Sequence, residues 1–190
     1  MKKKSELYSY LLCALFAALT AVCSQIMIPL PFTPVPINLA YLAVIVCGGV
    51  LGTKKGALAM LVYVLLGAVG VPVFVGFNGG LGALAGPTGG YIVGYIAMAA
   101  MCGVLKFGGN SGQQNTALRI GMSVLKGVPV IFTGYAFGTA WFMISMGTDL
   151  ASALLLCVVP FFAGDVVKII AAAGITQALR RALPSYTIGS

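Results

Sequence analysis

The sequence predicts an all-α membrane protein of six transmembrane helices, with both termini cytoplasmic and an ordered glycine-rich external loop. Three observations lead there. The 190 residues are 60% hydrophobic and only 7% charged, with mean hydropathy +1.06, whereas a soluble globular domain carries about 25% charged residues. Apolar runs recur along the chain, and the last, 150–179, exceeds the roughly 20 residues that one bilayer crossing needs. The basic residues sit at the ends of these runs: Lys2, Lys3, Lys4, Lys54, Lys55, Lys106, Arg119, Arg180 and Arg181. With six crossings all of them fall on one side, and the opposite loops carry only Asp149. Positive charge marks the cytoplasmic side. The net charge of +8 is spread over these ends, so it reads as a topology signal, and no nucleic-acid partner is expected. A chain this short is expected to be one integral membrane domain over 1–190.

The expected spans are 7–28, 37–51, 56–70, 91–105, 119–146 and 150–179. The first is too long for a signal-peptide core and lacks a following small-residue cleavage site, so a retained membrane helix is expected. Its Ala14, Ala17, Ala18 and Ala21 form two overlapping small-x-x-x-small pairs, a spacing that lets another helix approach closely. Whether that helix belongs to this chain or to a partner is open. Pro29, Pro31, Pro34 and Pro36 stop the helix and stiffen an ordered loop. A second, short span follows, then a tight basic turn at Gly52-Thr53-Lys54-Lys55-Gly56 and a third span.

The stretch 71–90 is rich in glycine and carries no charge, yet stays apolar between its glycines. It is expected to fold into or over the membrane, where irregular backbone is tolerated only when buried in protein or lining a cavity. It lacks the Gly-Lys-Ser/Thr ending of a phosphate-binding P-loop. After the fourth span comes a polar loop, 107–117. The fifth span opens at Arg119, and Lys126 on the same face is placed to snorkel back toward that end; Pro129 is a candidate kink. Residues 145–149 form a short loop before the sixth span.

Chemistry is scarce. The cysteines Cys13, Cys23, Cys47, Cys102 and Cys157 are scattered through apolar spans, with no Cys-x-x-Cys pair and no histidine in the chain. No metal site or cofactor is expected, and the thiols read as small buried hydrophobes. The exception to the apolar spans is Phe161-Phe162-Ala163-Gly164-Asp165-Val166-Val167-Lys168. On a helix, Asp165 and Lys168 share a face. An ionised side chain near mid-membrane costs about 3 kcal/mol or more unless paired or wet, so the pair needs a reason. Two stand open: an internal ion pair that locks helices, or a polar ligand pocket entered from outside, with Phe161 and Phe162 toward its mouth. An intramembrane enzyme would need a nucleophile with a base. Asp165 is the only acid in a span, and Lys168 beside it points to charge balance, so no catalytic residue is assigned.

Thr33-Pro34-Val35-Pro36, Gly79-Gly80-Leu81, Gly86-Pro87-Thr88-Gly89-Gly90-Tyr91 and Gly164-Asp165 with Lys168 resemble the BioY family, in order and spacing over nearly the whole chain. That family consists of biotin-binding S components of energy-coupling factor (ECF) transporters. The resemblance implies a six-helix protein of the prokaryotic plasma membrane with a substrate site near the external face. It also implies a transmembrane coupling subunit and two ATPase subunits as partners, which use the ATP; biotin is ligand, not cofactor. The implied substrate-binding residues are Asn78, Thr88, Tyr91, Asp165 and Lys168, with Asn38 and Tyr41 less directly indicated. Family members often carry Thr-Leu-Gln after the proline block; here the run is Asn38-Leu39-Ala40, which leaves the role of Asn38 open. The family's small-residue motif, used against the partner subunit, matches Ala14 and Ala18.

A ureido ring offers two N–H donors and one carbonyl acceptor, beside an apolar thioether ring and a carboxylate tail. Asp165 suits the N–H groups, and Tyr41 and Tyr91 could supply apolar walls with polar tips. Lys168 would serve either the ureido carbonyl or Asp165. The alternatives are an S component for another vitamin, such as thiamin or riboflavin, and a structural membrane protein, which would leave the glycine-rich loop unexplained.

Overall fold

The computed structural model describes residues 2–108 and 116–183. Most of the polar loop expected at 107–117 lies outside the described residues, as do the side chains of Lys2, Lys3, Lys4 and Arg119. Helix α1 runs from Lys2 to Gln25. Its buried side is Cys13, Phe16, Ala17, Thr20 and Ser24, while Leu11, Leu15 and Val22 are exposed. It ends three residues before the expected boundary of 28, because Met27–Leu30 is already a strand, β1.

The proline segment is not a plain loop. β1 pairs antiparallel with β2, Thr33–Asn38, with Met27 opposite Asn38, Ile28 opposite Ile37 and Leu30 opposite Thr33. The register is irregular between Ile28 and Leu30, at Pro29. A two-stranded hairpin is all edge, so prolines without N–H groups fit where no ladder bond is required. Thr33 and Val35 turn inward and Pro34 outward, the period-two alternation of a strand.

Helix α2, Ala40–Ala68, is two helices. Gly52 breaks it with φ 77° and ψ −175°, a backbone setting open to glycine and strained for other residues. A Cβ placed on Gly56 would lie 3.0 Å from the Gly48 Cα, and Cys47 Sγ approaches the Gly56 carbonyl at 3.9 Å. Residues eight apart on a straight helix are separated by about 12 Å, so the chain doubles back at Gly52 into an antiparallel hairpin with arms 40–51 and 53–68. The second and third expected spans, 37–51 and 56–70, fall largely on these arms. The basic turn is tighter than expected, a single residue, and helix resumes at Thr53.

Residues 69–88 are ordered by side chains. Phe74 fills a notch at Gly67, where a Cβ would collide with its ring, and meets Tyr63 edge-on at 5.6 Å. A 3-10 turn at Val75–Phe77 and a short helix α3, Leu81–Ala85, lead into α4, Gly89–Val104. Helix α5, Thr116–Met146, continues through Pro129 without a break. The sixth expected span is also two helices: α6, Leu150–Cys157, and α7, Val159–Ala182. The break falls at Val158 (φ −122°, ψ −55°) with Pro160 in the first turn of α7, where proline's missing N–H costs nothing. Asp149 caps α6, its Oδ2 accepting from the N–H groups of Ala151 (3.1 Å) and Ser152 (3.2 Å). The Ser152 side chain, and then its backbone N–H, hold the Asp149 carboxyl below the ordinary carboxylate value.

Among the described residues, four helices are long and apolar enough to cross a membrane: Glu6–Gln25, Ala40–Ala68, Gly121–Met146 and Val159–Ala182, with Gly89–Val104 apolar but shorter. Because α2 folds back, its arms are only about 18 and 24 Å long at 1.5 Å per residue. The ends of the bundle differ in chemistry. At one, Lys55 Nζ donates to Ser9 Oγ (2.8 Å) and Arg180 Nε donates to the Gly49 carbonyl (2.8 Å), which the break at Gly52 frees from its helical partner. At the other lie the β-hairpin and residues 69–88, with Trp141 Nε1 donating to the Gly86 carbonyl (3.0 Å).

Candidate ligand-binding pocket

Asp165 and Lys168 lie on the first half of α7, one turn apart. Lys168 Nζ sits 2.8 Å from Asp165 Oδ1, and Asp165 is only 3% exposed. The second carboxylate oxygen accepts a 2.6 Å hydrogen bond from the Tyr135 hydroxyl of α5. Lys168 Nζ also stands 5.8 Å from the centre of the Tyr41 ring, within cation–π range. The formal charges cancel inside a wall of aromatic rings. A carboxylate offers about four lone-pair sites and an ammonium three N–H groups, so both keep capacity toward a ligand.

The pair lines a pocket formed by β2, α2, the loop before α4, α4, α5 and α7. Its walls include Tyr41, Tyr63, Tyr91, Tyr95 and Tyr135, with Asn38, Thr88 and Phe161. Tyr41 is central, 5.7 Å edge-on from Tyr95 and 6.4 Å from both Tyr91 and Tyr135. Its hydroxyl is buried and has no hydrogen-bond partner among the described residues. The space between the lining atoms amounts to about 550 Å³. Its polar lining groups are Asn38, Thr88, Asp165, Lys168 and the tyrosine hydroxyls.

The structure brings Asn38, Tyr41, Thr88, Tyr91, Asp165 and Lys168 onto this one pocket. Asn38 reaches it from the end of β2, its Oδ1 accepting from the Ala40 N–H at 3.0 Å. Tyr91 is held by its hydroxyl, which donates to the Cys157 carbonyl at 3.2 Å. Asn78 does not join them. It is exposed, its Nδ2 donates to the Val75 carbonyl at 2.9 Å to close the 3-10 turn, and it borders a separate outer cleft. Phe161 lines the pocket, but Phe162 turns away and packs on Phe132 at 6.5 Å.

Sequence reading missed Tyr63, Tyr95 and Tyr135 as pocket walls. The i, i+4 spacing of Tyr91 and Tyr95 on one helix face was an available signal; nothing local marked Tyr135. It also missed the clamp on the glycine-rich segment. Ser24 Oγ donates to the Val73 carbonyl (2.7 Å), and Gln25 Nε2 donates to those of Val73 (3.2 Å) and Phe74 (3.0 Å). Gln25 Oε1 accepts from the Phe77 N–H (2.8 Å). The last turn of α1 thus holds the segment that brings Val75 to the pocket rim.

Among the described residues, no three His, Cys, Asp or Glu side chains come together as metal ligands. The arrangement binds rather than reacts: an overall neutral, aromatic-walled pocket with one acceptor-rich and one donor-rich group. Ala14 and Ala18 lie elsewhere, exposed on the outer face of α1, whereas Ala17 is buried and Ala21 half-buried against the bundle. The two small-residue pairs, about 60° apart around the helix, thus straddle the boundary between its exposed and buried sides.

Residues 1–185 match the BioY family. A probable biotin transporter BioY from Pyrococcus horikoshii is 38% identical over 169 residues, covering 89% of this chain and 94% of the relative. The biotin transporter BioY of Thermotoga maritima is 38% identical over 168 residues, covering 88% and 92%. Among solved structures, the S-component for biotin from an ECF-type ABC transporter superposes with a TM-score of 0.83 at 26% identity, covering 95% of both chains. With a matching fold and a match along nearly its whole length, this chain belongs to the BioY family.

Proposed function

We propose that this chain is the substrate-binding membrane subunit of a transporter, an S component that captures biotin from the external side for uptake powered by partner subunits. The observation that carries this reading is the buried, charge-balanced Asp165–Lys168 pair in a tyrosine-walled pocket. A ureido group matches it, with N–H groups toward the remaining lone pairs of Asp165 and the carbonyl toward Lys168 or a tyrosine hydroxyl. The bicyclic apolar ring lies against Tyr41, Tyr91 and Tyr95. Relatives named as biotin transporters support the assignment. The test is titration of the purified chain with biotin, thiamin and riboflavin, together with native mass spectrometry for a co-purified ligand. Saturable binding of biotin alone is expected; binding of another vitamin in its place would overturn the reading.

The membrane arrangement in this reading has six crossings: α1, the two arms of α2, α4, α5 and α7 with α6 leading into it. Both termini are cytoplasmic, in the plasma membrane of a prokaryotic cell. Lys55 and Arg180 at one end of the bundle support the orientation, since positive charge stays inside. In a cysteine-free background, a cysteine at Asn78 is expected to react with an impermeant thiol reagent applied outside, and one at Lys54 is not. Both positions are exposed, so labelling of position 54 from outside would reverse the orientation.

A transmembrane coupling subunit and two ATPase subunits are the partners in this reading, and ATP is used by them alone. The outward-facing Ala14 and Ala18 are the proposed contact with the coupling subunit, because small side chains let helices approach closely. Replacing both with Leu is expected to abolish biotin uptake by cells carrying all subunits while leaving biotin binding to the isolated chain within about twofold of wild type. Equal loss of binding would assign the stripe to packing within this chain.

A further inference from the structure

We infer that the rim around the pocket mouth, made by the β-hairpin and residues 69–81, is a lipid-binding collar set into the outer leaflet, so that the ligand's way in opens at headgroup depth rather than in bulk water. The inference rests on the six-crossing arrangement proposed above.

Helix lengths point to it first. The arms of α2, 40–51 and 53–68, rise only about 18 and 24 Å from the turn that bears Lys54 and Lys55. Helix α4, Gly89–Val104, rises about 24 Å from the end beside Lys106. The hydrocarbon core is about 30 Å thick. Lysines keep these lower ends at or beyond the inner boundary, so the upper ends stop about 6–12 Å short of the outer one. β2 leads into the first arm, and residues 69–88 join the second arm to α4. Both rim segments therefore start inside lipid.

Surface chemistry agrees. No residue from 26 to 53 or from 56 to 105 is charged. Ile28, Phe32, Val69, Phe77 and Leu81 are each 55–79% exposed. None of them lines the pocket or the outer cleft, so they point away from the mouth. They also continue the surface of a membrane span: Leu61, Leu65 and Val69 are exposed at successive fourth positions, one stripe running up α2 to the rim. The Gly80 N–H donates to the Gly67 carbonyl (2.6 Å), which ties the start of α3, with Leu81, to that end of α2. A patch of large apolar side chains like this marks an interaction surface, and here the neighbour is hydrocarbon.

The backbone meets the same demand, because lipid tolerates irregular chain only where its polar groups are satisfied within the protein. The Val73 carbonyl accepts from Ser24, Gln25 and Tyr63, and the Phe74 carbonyl accepts from Gln25. The Phe77 N–H donates to Gln25 Oε1, and the Phe74 N–H donates to the Asn78 carbonyl (2.9 Å). The rim is two-sided, apolar outward and polar toward the cleft, where Asn78 stays wet.

The experiment places single tryptophans in the full chain, reconstituted in phosphatidylcholine vesicles, with Trp141→Phe removing the native one. Phe77→Trp and Phe32→Trp probe the loop and the hairpin separately, and Leu65→Trp marks the lipid-facing span. Quenching by lipid brominated near the headgroup end of its acyl chains is set against quenching by iodide present on both sides. Both rim probes are expected to be quenched by bromolipid at least about half as strongly as Leu65→Trp, and by iodide less than about a third as strongly as free tryptophan amide. Full iodide quenching without bromolipid quenching would put the rim in water, with the bilayer thinned to meet the short helices, and overturn the inference. If one rim variant does not fold, the other decides. Should Leu65→Trp also escape bromolipid, the six-crossing arrangement itself is overturned, and the inference falls with it.

Discussion

Asp165→Asn is expected to lower biotin affinity at least about tenfold in a chain that remains monodisperse in detergent. The carboxylate accepts from Lys168 and Tyr135 and, in the proposed function, from the ureido N–H groups. A hydrogen bond to a charged group is worth roughly 1.5–3 kcal/mol, or about ten- to hundredfold in affinity. Asn supplies one acceptor in place of two and adds an N–H₂ group that repels the incoming donors. Lys168→Met is the harsher single change for the fold, because it leaves a 3%-exposed carboxylate without its cation; breaking one side of a buried pair costs about 3–5 kcal/mol. The Asp165→Asn, Lys168→Met double variant removes both charges and should regain wild-type stability. It is expected to fold and still bind weakly. Wild-type biotin affinity in the double variant would reduce the pair to a structural ion pair and refute its ligand role.

Gly48→Ala is expected to destabilise the chain by about 3 kcal/mol, the upper part of the usual range for overpacking, while Gly174→Ala is neutral or stabilises by up to about 1 kcal/mol. Both glycines are helical, so propensity favours alanine at each. They differ in what the new methyl meets. At Gly48 it runs into the Ala99 carbonyl and lies 2.7 Å from the Cys102 Cβ of α4. These are backbone and first side-chain atoms that cannot swing aside, and the same glycine seats the returning arm at Gly56. At Gly174 there is nothing within 4 Å. Melting temperatures in one detergent check the pair, with a drop of about 6–12 °C expected for Gly48→Ala and none for Gly174→Ala. Equal melting temperatures would mean that α2 and α4 are not packed this closely.

Much of this molecule was readable from the chain. Membrane class follows from composition, which is a sum over residues and needs no coordinates. The reversal at Gly52 was legible because glycines beside Lys54 and Lys55 are a local signal of a tight turn, and the shared face of Asp165 and Lys168 follows from helical spacing alone. The fate of the proline segment was half legible. Prolines exclude helix, but whether the chain forms a loop or a paired hairpin depends on the register of Met27 against Asn38. The split of the last span at Val158 was announced by Pro160 and overlooked because hydropathy continues unbroken across it.

What only the tertiary structure decided is which side chains meet across the bundle. Tyr135 reaches Asp165 over 30 positions and Gln25 reaches Phe77 over 52, while Asn78 turns out to close a turn outside the pocket. In a soluble helix, the polar face would have shown which side points in. Here lipid and protein interior are both apolar, so hydrophobicity carries no such stripe. With 100° of rotation per residue, whether Ala14 or Ala17 faces outward is settled only by how closely the helices pack, at glycines such as Gly48 and Gly134 whose neighbours lie far away in sequence.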